Sequence, residues 1–313
     1  MKNILTLTMN TVIDKNTKAK LVVPEKKLRC KPPTYAPGGG GLNVSRAIKK
    51  LGGDSVACFL AGGDNRDKIA SLLDKEEIRY HQIDSGTNVR ENLMVLDETT
   101  GSLYRFGMPG AEIEEKHWKN VLTTIEDIRP KPDYLVASGS LPPGVPDDFY
   151  AQLAAFANKN DIRMVLDTSG PPLKMALKKG IYMIKPNLRE LAELLEKDVL
   201  TVMEQEEAAK ELLKNNSCKV LLLSLGAKGA MVAYNADVIS YIVPPTMPVV
   251  STVGAGDSMV AGTVLGLTNG LWPHHAARFG VAAGTAAAMT PGSELCRKED
   301  TDKINDWLKP NEP

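Results

Sequence analysis

Apolar residues along the chain fall into short runs that alternate between two spacings. Residues 4–9 and 55–61 are compact stretches of strand length, as are 134–138, 164–167, 183–185 and 220–224. Between the first two, Val44, Ala47, Ile48 and Leu51 recur at helical spacing, which predicts a helix over 43–51. Residues 67–77, 147–158, 172–178 and 188–195 read as further helices. Strand runs with little polar alternation belong to a sheet buried on both faces. The β-α-β-α order makes that sheet mainly parallel and the fold class α/β.

Two stretches break this rhythm. Residues 15–37 are rich in lysine and proline, with a strand-like patch at 19–23. Residues 87–106 hold two alternating segments, 88–96 and 102–106, joined by a polar turn at 97–101. Together they predict a small β-structure built from non-adjacent segments. It would form a lid over the end of the sheet where open α/β folds bind ligands. The rest reads as a single α/β domain over 1–309, with 310–313 expected to fray.

Composition narrows the function. Lysine plus arginine number 38 and aspartate plus glutamate number 38, which argues against nucleic-acid binding through bulk charge. No basic tract carries interleaved aromatics. Cys30, Cys58, Cys218 and Cys296 are far apart, lack metal-ligand spacing and suit a reducing cytoplasm. No apolar run has the length of a signal peptide core or a membrane span, so a cytoplasmic protein without a membrane partner is expected.

Two glycine-rich segments carry the chemistry. Gly254-Ala255-Gly256-Asp257 precedes the apolar run 258–267. Glycines at a helix start let backbone N–H groups approach an anion, and a carboxylate there could accept a proton from a neighbouring hydroxyl. The competing reading of Asp257 is a helix cap. Gly38-Gly39-Gly40-Gly41-Leu42-Asn43 runs into the second predicted element, and the Asn43 amide suits sugar hydroxyls. Its competing reading is a flexible loop with Asn43 as N-cap. The spacing fits neither the dinucleotide fingerprint nor a Walker-type phosphate loop, and the protein-kinase motif set is missing. Gly262 and Gly266 are four apart, as are Gly280 and Gly284, a pattern that lets two helices pack closely.

These two segments resemble the signatures of the ribokinase-like (PfkB) carbohydrate kinase family, phosphosugar branch. Ser138-Gly139-Ser140-Leu141-Pro142-Pro143-Gly144, Lys185-Pro186-Asn187-x-x-Glu190, Ser224-Leu225-Gly226-x-x-Gly229 and 278–284 extend the resemblance over nearly the whole chain. It implies a three-layer α/β/α sandwich with a β-lid and ATP-dependent phosphorylation of a ketose phosphate. The implied substrate is fructose 6-phosphate, with tagatose 6-phosphate or fructose 1-phosphate as alternatives, and a non-catalytic sensor as a further one. Asp257 would be the general base, with Gly254, Ala255 and Gly256 as the anion hole. Asp14, Gly39, Gly40, Asn43 and Ser140 would meet the sugar. Arg90 and Arg105 would grip its phosphate, with Lys27 reaching in from a partner's lid in a homodimer. Lys185, Asn187, Ser224, Gly226, Gly229 and Val281 would face ATP. Glu190 would help hold magnesium through water. Potassium would sit near Ser251, Val253 and Ala287. The competing reading of Glu190 is an N3 carboxylate that stabilises its own helix.

The chain departs from the family in its first strand. Asn10-Thr11-Val12-Ile13-Asp14 keeps the acid but has Thr11 where proline is usual. Ser251 stands where plain-sugar members have aspartate.

Overall fold

The computed structural model describes residues 2–235 and 238–309. The tail at 310–313 lies outside the described residues. Among the described residues, nine strands form the central sheet and four form a second, smaller one.

The central sheet grows outward from β1 (Ile4–Thr8). On one side lie β4 (Val56–Gly62) and β5 (Arg79–Asn88). On the other lie β8 (Tyr134–Ser138), β9 (Arg163–Asp167), β10 (Ile181–Ile184), β11 (Cys218–Ser224), β12 (Ala230–Tyr234) and β13 (Val238–Ile242). From β5 to β11 neighbouring strands pair in parallel, and only the edge β11-β12-β13 is antiparallel. The second sheet has the order β3 (Thr34–Gly38), β2 (Val12–Ala19), β6 (Arg90–Asp97) and β7 (Leu103–Phe106). The mainly parallel sheet and the small β-lid are therefore both present.

Side chains alternate between two cores. Leu5, Leu7, Leu135, Ala137, Leu221 and Leu223 face one. Ile4, Tyr134, Val136, Val220 and Leu222 face the other. Both are apolar, which is why the strands show no polar alternation in sequence. The first core is closed by α3 (Glu115–Asp127), α4 (Phe149–Lys159), α5 (Gly170–Leu177), α6 (Leu188–Leu194) and α7 (Val202–Lys214). The second is closed by α1 (Gly40–Lys50), α8 (Ala255–Thr268), α9 (Pro273–Ala288) and α10 (Lys298–Leu308). A third cluster gathers Leu42, Phe59, Ile69 and Leu73 around Ile13, so α2 (Arg66–Lys75) and its neighbours anchor the base of the lid.

The lid differs from the sequence expectation in two places. The first lid strand runs over Val12–Ala19 rather than 19–23. Residues 14–18 are all polar, so it lacks the apolar density that suggested a strand further on. Beyond it the chain, with prolines at 24, 32 and 33, touches the ladder only through a bridge between Ala19 and Cys30 before β3 begins. The segment 88–96 is divided at Asn88: β5 ends there in the central sheet and β6 begins at Arg90 in the lid. Residue 89 thus links the two sheets.

Helices α8 and α9 cross at glycine contacts. A Cβ on Gly280 would lie 2.0 Å from Thr263 Oγ1 and 2.6 Å from the Met259 carbonyl. Gly280→Ala is expected to destabilise the fold by about 1–3 kcal/mol through overpacking. Denaturant unfolding of the variant measures it, and an unchanged midpoint would show that these helices can separate at no cost.

Candidate active site

The cleft lies at the carboxyl ends of the parallel strands, and the motifs converge there. Gly254 is the N-cap of α8, with φ +75 in the left-handed region that favours glycine. Asp257 follows in the first turn, where N–H groups have no carbonyl partner within the helix. Its carboxylate does not turn back to cap that helix. Asn43 Nδ2 donates to Asp257 Oδ2 at 3.0 Å, and Ser138 Oγ donates to Oδ1 at 3.4 Å. Both donors belong to other elements, α1 and the end of β8, so the cap reading fails.

Asn43 is not the N-cap of α1 either. The helix starts at Gly40, with Gly39 as its cap at φ +111, and Asn43 points from the first turn into the cleft. Gly40, Ser138, Ser140, Asp167, Glu190 and Asp257 line one cavity of ≈ 300 Å³. Ser140 Oγ also accepts a hydrogen bond from Asn10 Nδ2 at 3.1 Å.

Charge in this cavity is unbalanced by design of the sheet. Lys185, 5% exposed, leaves β10 with its Nζ 3.2 Å from Asp167 Oδ1. A Cβ on Gly256 would sit 3.5 Å from the same ammonium, so Lys185 lies directly beneath the glycine turn. Burial alone would push the Lys185 pKa down, but Asp167, Glu190 and Asp257 together raise it. Asp257 is pushed up from 3.8 to about 6, by burial first and by the Asp167 charge second; Asn43, Lys185 and Ser138 oppose the rise. Glu190 is raised by burial too.

Asn187 and Glu190 form a reciprocal capping box at the start of α6. Asn187 Oδ1 accepts from the Glu190 N–H, and Glu190 Oε2 accepts from the Asn187 N–H, both at 2.9 Å. The helix-stabilising role of Glu190 is thus real, and it commits one carboxylate oxygen. The other remains toward the cavity. Among the described residues no three acidic, histidine or cysteine side chains converge as a metal cluster. A hard cation here would keep waters and take oxygens from a bound phosphate, which fits magnesium.

A second cavity of ≈ 310 Å³ adjoins the first across Gly256. Ser224, Gly226, Gly229, Ala255, Met259 and Val281 are among the residues lining it, and its wall is predominantly apolar. That shape suits a flat heterocycle with its phosphates toward α8.

On the lid, Asp14 is buried and faces the cleft, with Asn92 Nδ2 donating to its Oδ1 at 3.2 Å. Burial raises its pKa, while Asn92, Arg46, Arg105 and Arg90 counter the rise. The expected pair of phosphate-gripping arginines is divided in this state. Arg90 donates to the Met108 carbonyl at 2.8 Å and to the Asn10 carbonyl at 3.3 Å, while Arg105 is exposed at the lid edge. Lys27 is exposed on the loop after β2, and lines neither of the two cavities described above. The Ala287 carbonyl accepts from both the N–H and Oγ1 of Thr290, at 3.1 and 2.9 Å, so it is not presented to potassium. Ser251 Oγ instead links the Val253 N–H to the Gly292 carbonyl.

Sequence reasoning missed Asp167, Ser138, Arg46 and Asn92. Asp167 had a usable signal, an acid at the carboxyl end of a parallel strand. Ser138 had the same signal, the end of a parallel strand and the head of the 138–144 motif, while Arg46 and Asn92 are legible only through their contacts.

The raised pKa of Asp257 makes a stability prediction. A carboxyl whose folded pKa exceeds its unfolded value adds stability below about pH 4, and this is lost as pH rises through about 6. Asp257→Asn should therefore stabilise the protein by about 1–3 kcal/mol at pH 8 and have little effect near pH 4. Unfolding curves at both pH values test this, and equal effects at the two would contradict the raised pKa.

Comparison with known proteins bears on all of this. The sequence matches the pfkB family carbohydrate kinase profile over residues 4–300. It is 40% identical to the ATP-dependent 6-phosphofructokinase isozyme 2 of Escherichia coli over 309 residues, covering 98% of this chain and 99% of that protein. Crystal structures of the E. coli phosphofructokinase-2 with potassium, with fructose-6-phosphate and in a tetrameric inhibited form match with TM-scores of 0.94, 0.92 and 0.93. They are 39%, 38% and 39% identical, and each match covers 98% of this chain and 99% of that one. A ribokinase from Thermotoga maritima, at 20% identity, with 98% of this chain and 100% of that one covered, shares the fold with a TM-score of 0.76. The chain belongs to the pfkB family of carbohydrate kinases: it is a phosphotransferase with a ribokinase-like α/β fold and a β-lid.

Proposed function

We propose that this kinase transfers the γ-phosphoryl group of ATP to fructose 6-phosphate, giving fructose 1,6-bisphosphate. The observation that carries the reading is Asp257, a carboxyl raised to about 6, set between a glycine anion hole and a lid bearing Asp14 and Arg105. The similarity to phosphofructokinases supports the same choice.

In this reaction Asp257 takes the proton of the acceptor hydroxyl as its oxygen attacks phosphorus. The N–H groups of Gly254, Ala255 and Gly256 and the Lys185 ammonium stabilise charge on the transferring group. Asp14, Gly39, Gly40, Asn43 and Ser140 position the sugar. Arg105 binds its phosphate from the lid edge, joined by Arg90 and by Lys27 of a second subunit. Asn187, Ser224, Gly226, Gly229 and Val281 hold ATP. Glu190 and Asp167 would hold magnesium through water, and the bound ion would supply neutralisation of phosphate charge. No step is assigned to potassium. The lid edge, with exposed Tyr104, Phe106 and Leu28, is the surface on which a homodimer forms. Among the described residues no helix is long and apolar enough to cross a membrane.

An ADP-release assay over phosphorylated and plain sugars tests the reading, and the greatest kcat/KM is expected with fructose 6-phosphate. A preference for tagatose 6-phosphate or fructose 1-phosphate would move the substrate, and turnover of plain sugars alone would refute the lid assignment. Asp257→Asn should lower kcat at least about a hundredfold, as loss of a general base does. In the wild type kcat should fall as pH drops through about 6, and Lys185→Met should move that limb upward, because Lys185 lowers the Asp257 pKa.

Arg105→Ala should raise KM for the sugar phosphate by tenfold to about a hundredfold, the range for losing a charge-assisted hydrogen bond. Steady-state kinetics with saturating ATP measure it. An unchanged KM would remove Arg105 from the site.

A further inference from the structure

Asn43 reaches Asp257 with one end of its amide, and the other end is not idle. Arg46 follows it by three residues on α1, on the same helix face. Its guanidinium is 4% exposed, and each of its three nitrogens has a partner. Nε and Nη2 donate to Glu76 Oε2 and Oε1, both at 2.8 Å. Nη1 donates to the Pro37 carbonyl at 3.0 Å and to Asn43 Oδ1 at 3.2 Å. A continuous chain Glu76–Arg46–Asn43–Asp257 therefore runs from the end of α2 to the base.

We propose that Arg46, held by Glu76, is a positioning residue that keeps the Asn43 amide in one orientation and so fixes the Asp257 carboxylate. The reading rests on Asp257 as the base. A guanidinium only donates, so the amide atom facing it must be oxygen, and the atom facing Asp257 must be the NH2 group. An ionised Asp257 selects that orientation by itself. A protonated one does not, because its O–H could donate to Oδ1 and turn the amide over. Asp257 becomes protonated in every turnover. Arg46 occupies Oδ1 throughout, so the amide stays in place and the carboxyl returns to the same geometry. A planar, always-charged fork anchored at three further points is suited to this.

Arg46 also joins α1 to α2 and lies near Asp14, so a purely structural or sugar-side effect has to be separated. A double-mutant cycle does so. Arg46→Met is expected to lower kcat tenfold or more with KM for ATP within about twofold. In the Asn43→Ala background, whose residual turnover is read by slow ADP release, the same change should alter kcat less than about twofold. An Arg46→Met effect that persists undiminished in the Asn43→Ala background would overturn the proposal, since it would act through Asp14 or the fold. Should Arg46→Met not fold, Glu76→Gln, half-exposed and isosteric, replaces it in the cycle. A several-fold loss of kcat that vanishes without Asn43 supports the proposal, and a loss that persists overturns it. Wild-type turnover with an additive cycle removes only the positioning role. If the wild type turned over no sugar phosphate at all, the kinase reading would fall and this inference with it.

Discussion

Three carboxylates share one cavity with one buried ammonium among them. Asp167, Glu190 and Asp257 come from three separate strand-to-helix junctions, and Lys185 leaves the sheet between them. Burying unpaired charge is expensive, so the group must settle its protons. Lys185 stays charged because three acids surround it, and Asp257 is pushed up to about 6 by its burial first and by the neighbouring Asp167 charge second. The arrangement needs the parallel sheet. Strands β9 and β10 lie side by side and parallel, so they deliver Asp167 and Lys185 to the same end. The N-terminus of α8 then lies above the ammonium, close enough that a side chain on Gly256 would sit against it. In the proposed reaction, the same imbalance that destabilises the empty cavity makes a proton acceptor at neutral pH and a seat for a cation-bound polyphosphate.

The lid obeys a simpler constraint, the twofold period of a strand. Ile13 is buried in the cluster with Leu42 and Phe59, so Asp14 must face the opposite side, into the cleft. Its neighbour across the ladder, Asn92, shares that face and bonds to it. A slip of one residue would turn the acid into the apolar cluster and the isoleucine into the cleft. The pairing of β2 with both β3 and β6 prevents that slip, and it ties the lid side of the cleft to the core beneath α2.

Much of this was legible from sequence where one residue type has one use. Apolar runs gave the parallel strands because a strand buried on both faces tolerates little else. The glycine segments marked the two helix starts because backbone must approach backbone or ligand there. The lid strand at Val12–Ala19 was hidden because its composition follows the cleft and not the core. The edge strand Arg79–Asn88 was hidden for a related reason, since much of it is exposed and polar. Arg46 was invisible in the helix pattern: in sequence it is a charged residue beside an apolar stripe. Only the bend of Glu76 back from the end of α2 makes it a buried one.

The contrast between Glu190 and Asp257 shows why local motif reading needs the partner elements. Both are acids at N3 of a helix next to the cleft. Glu190 bonds to the N–H of Asn187, because a side-chain cap, Asn187, completes the box. Asp257 follows Gly254, which has no side chain to reciprocate, and its carboxyl is drawn outward by Asn43 and Ser138. The two acids part company at the residue three positions earlier. Where that residue is asparagine, the helix end is satisfied and one carboxylate oxygen is committed. Where it is glycine, neither carboxylate oxygen is committed to its own helix end, and both accept from other elements, Asn43 and Ser138. That is the condition an anion hole with an adjacent base requires.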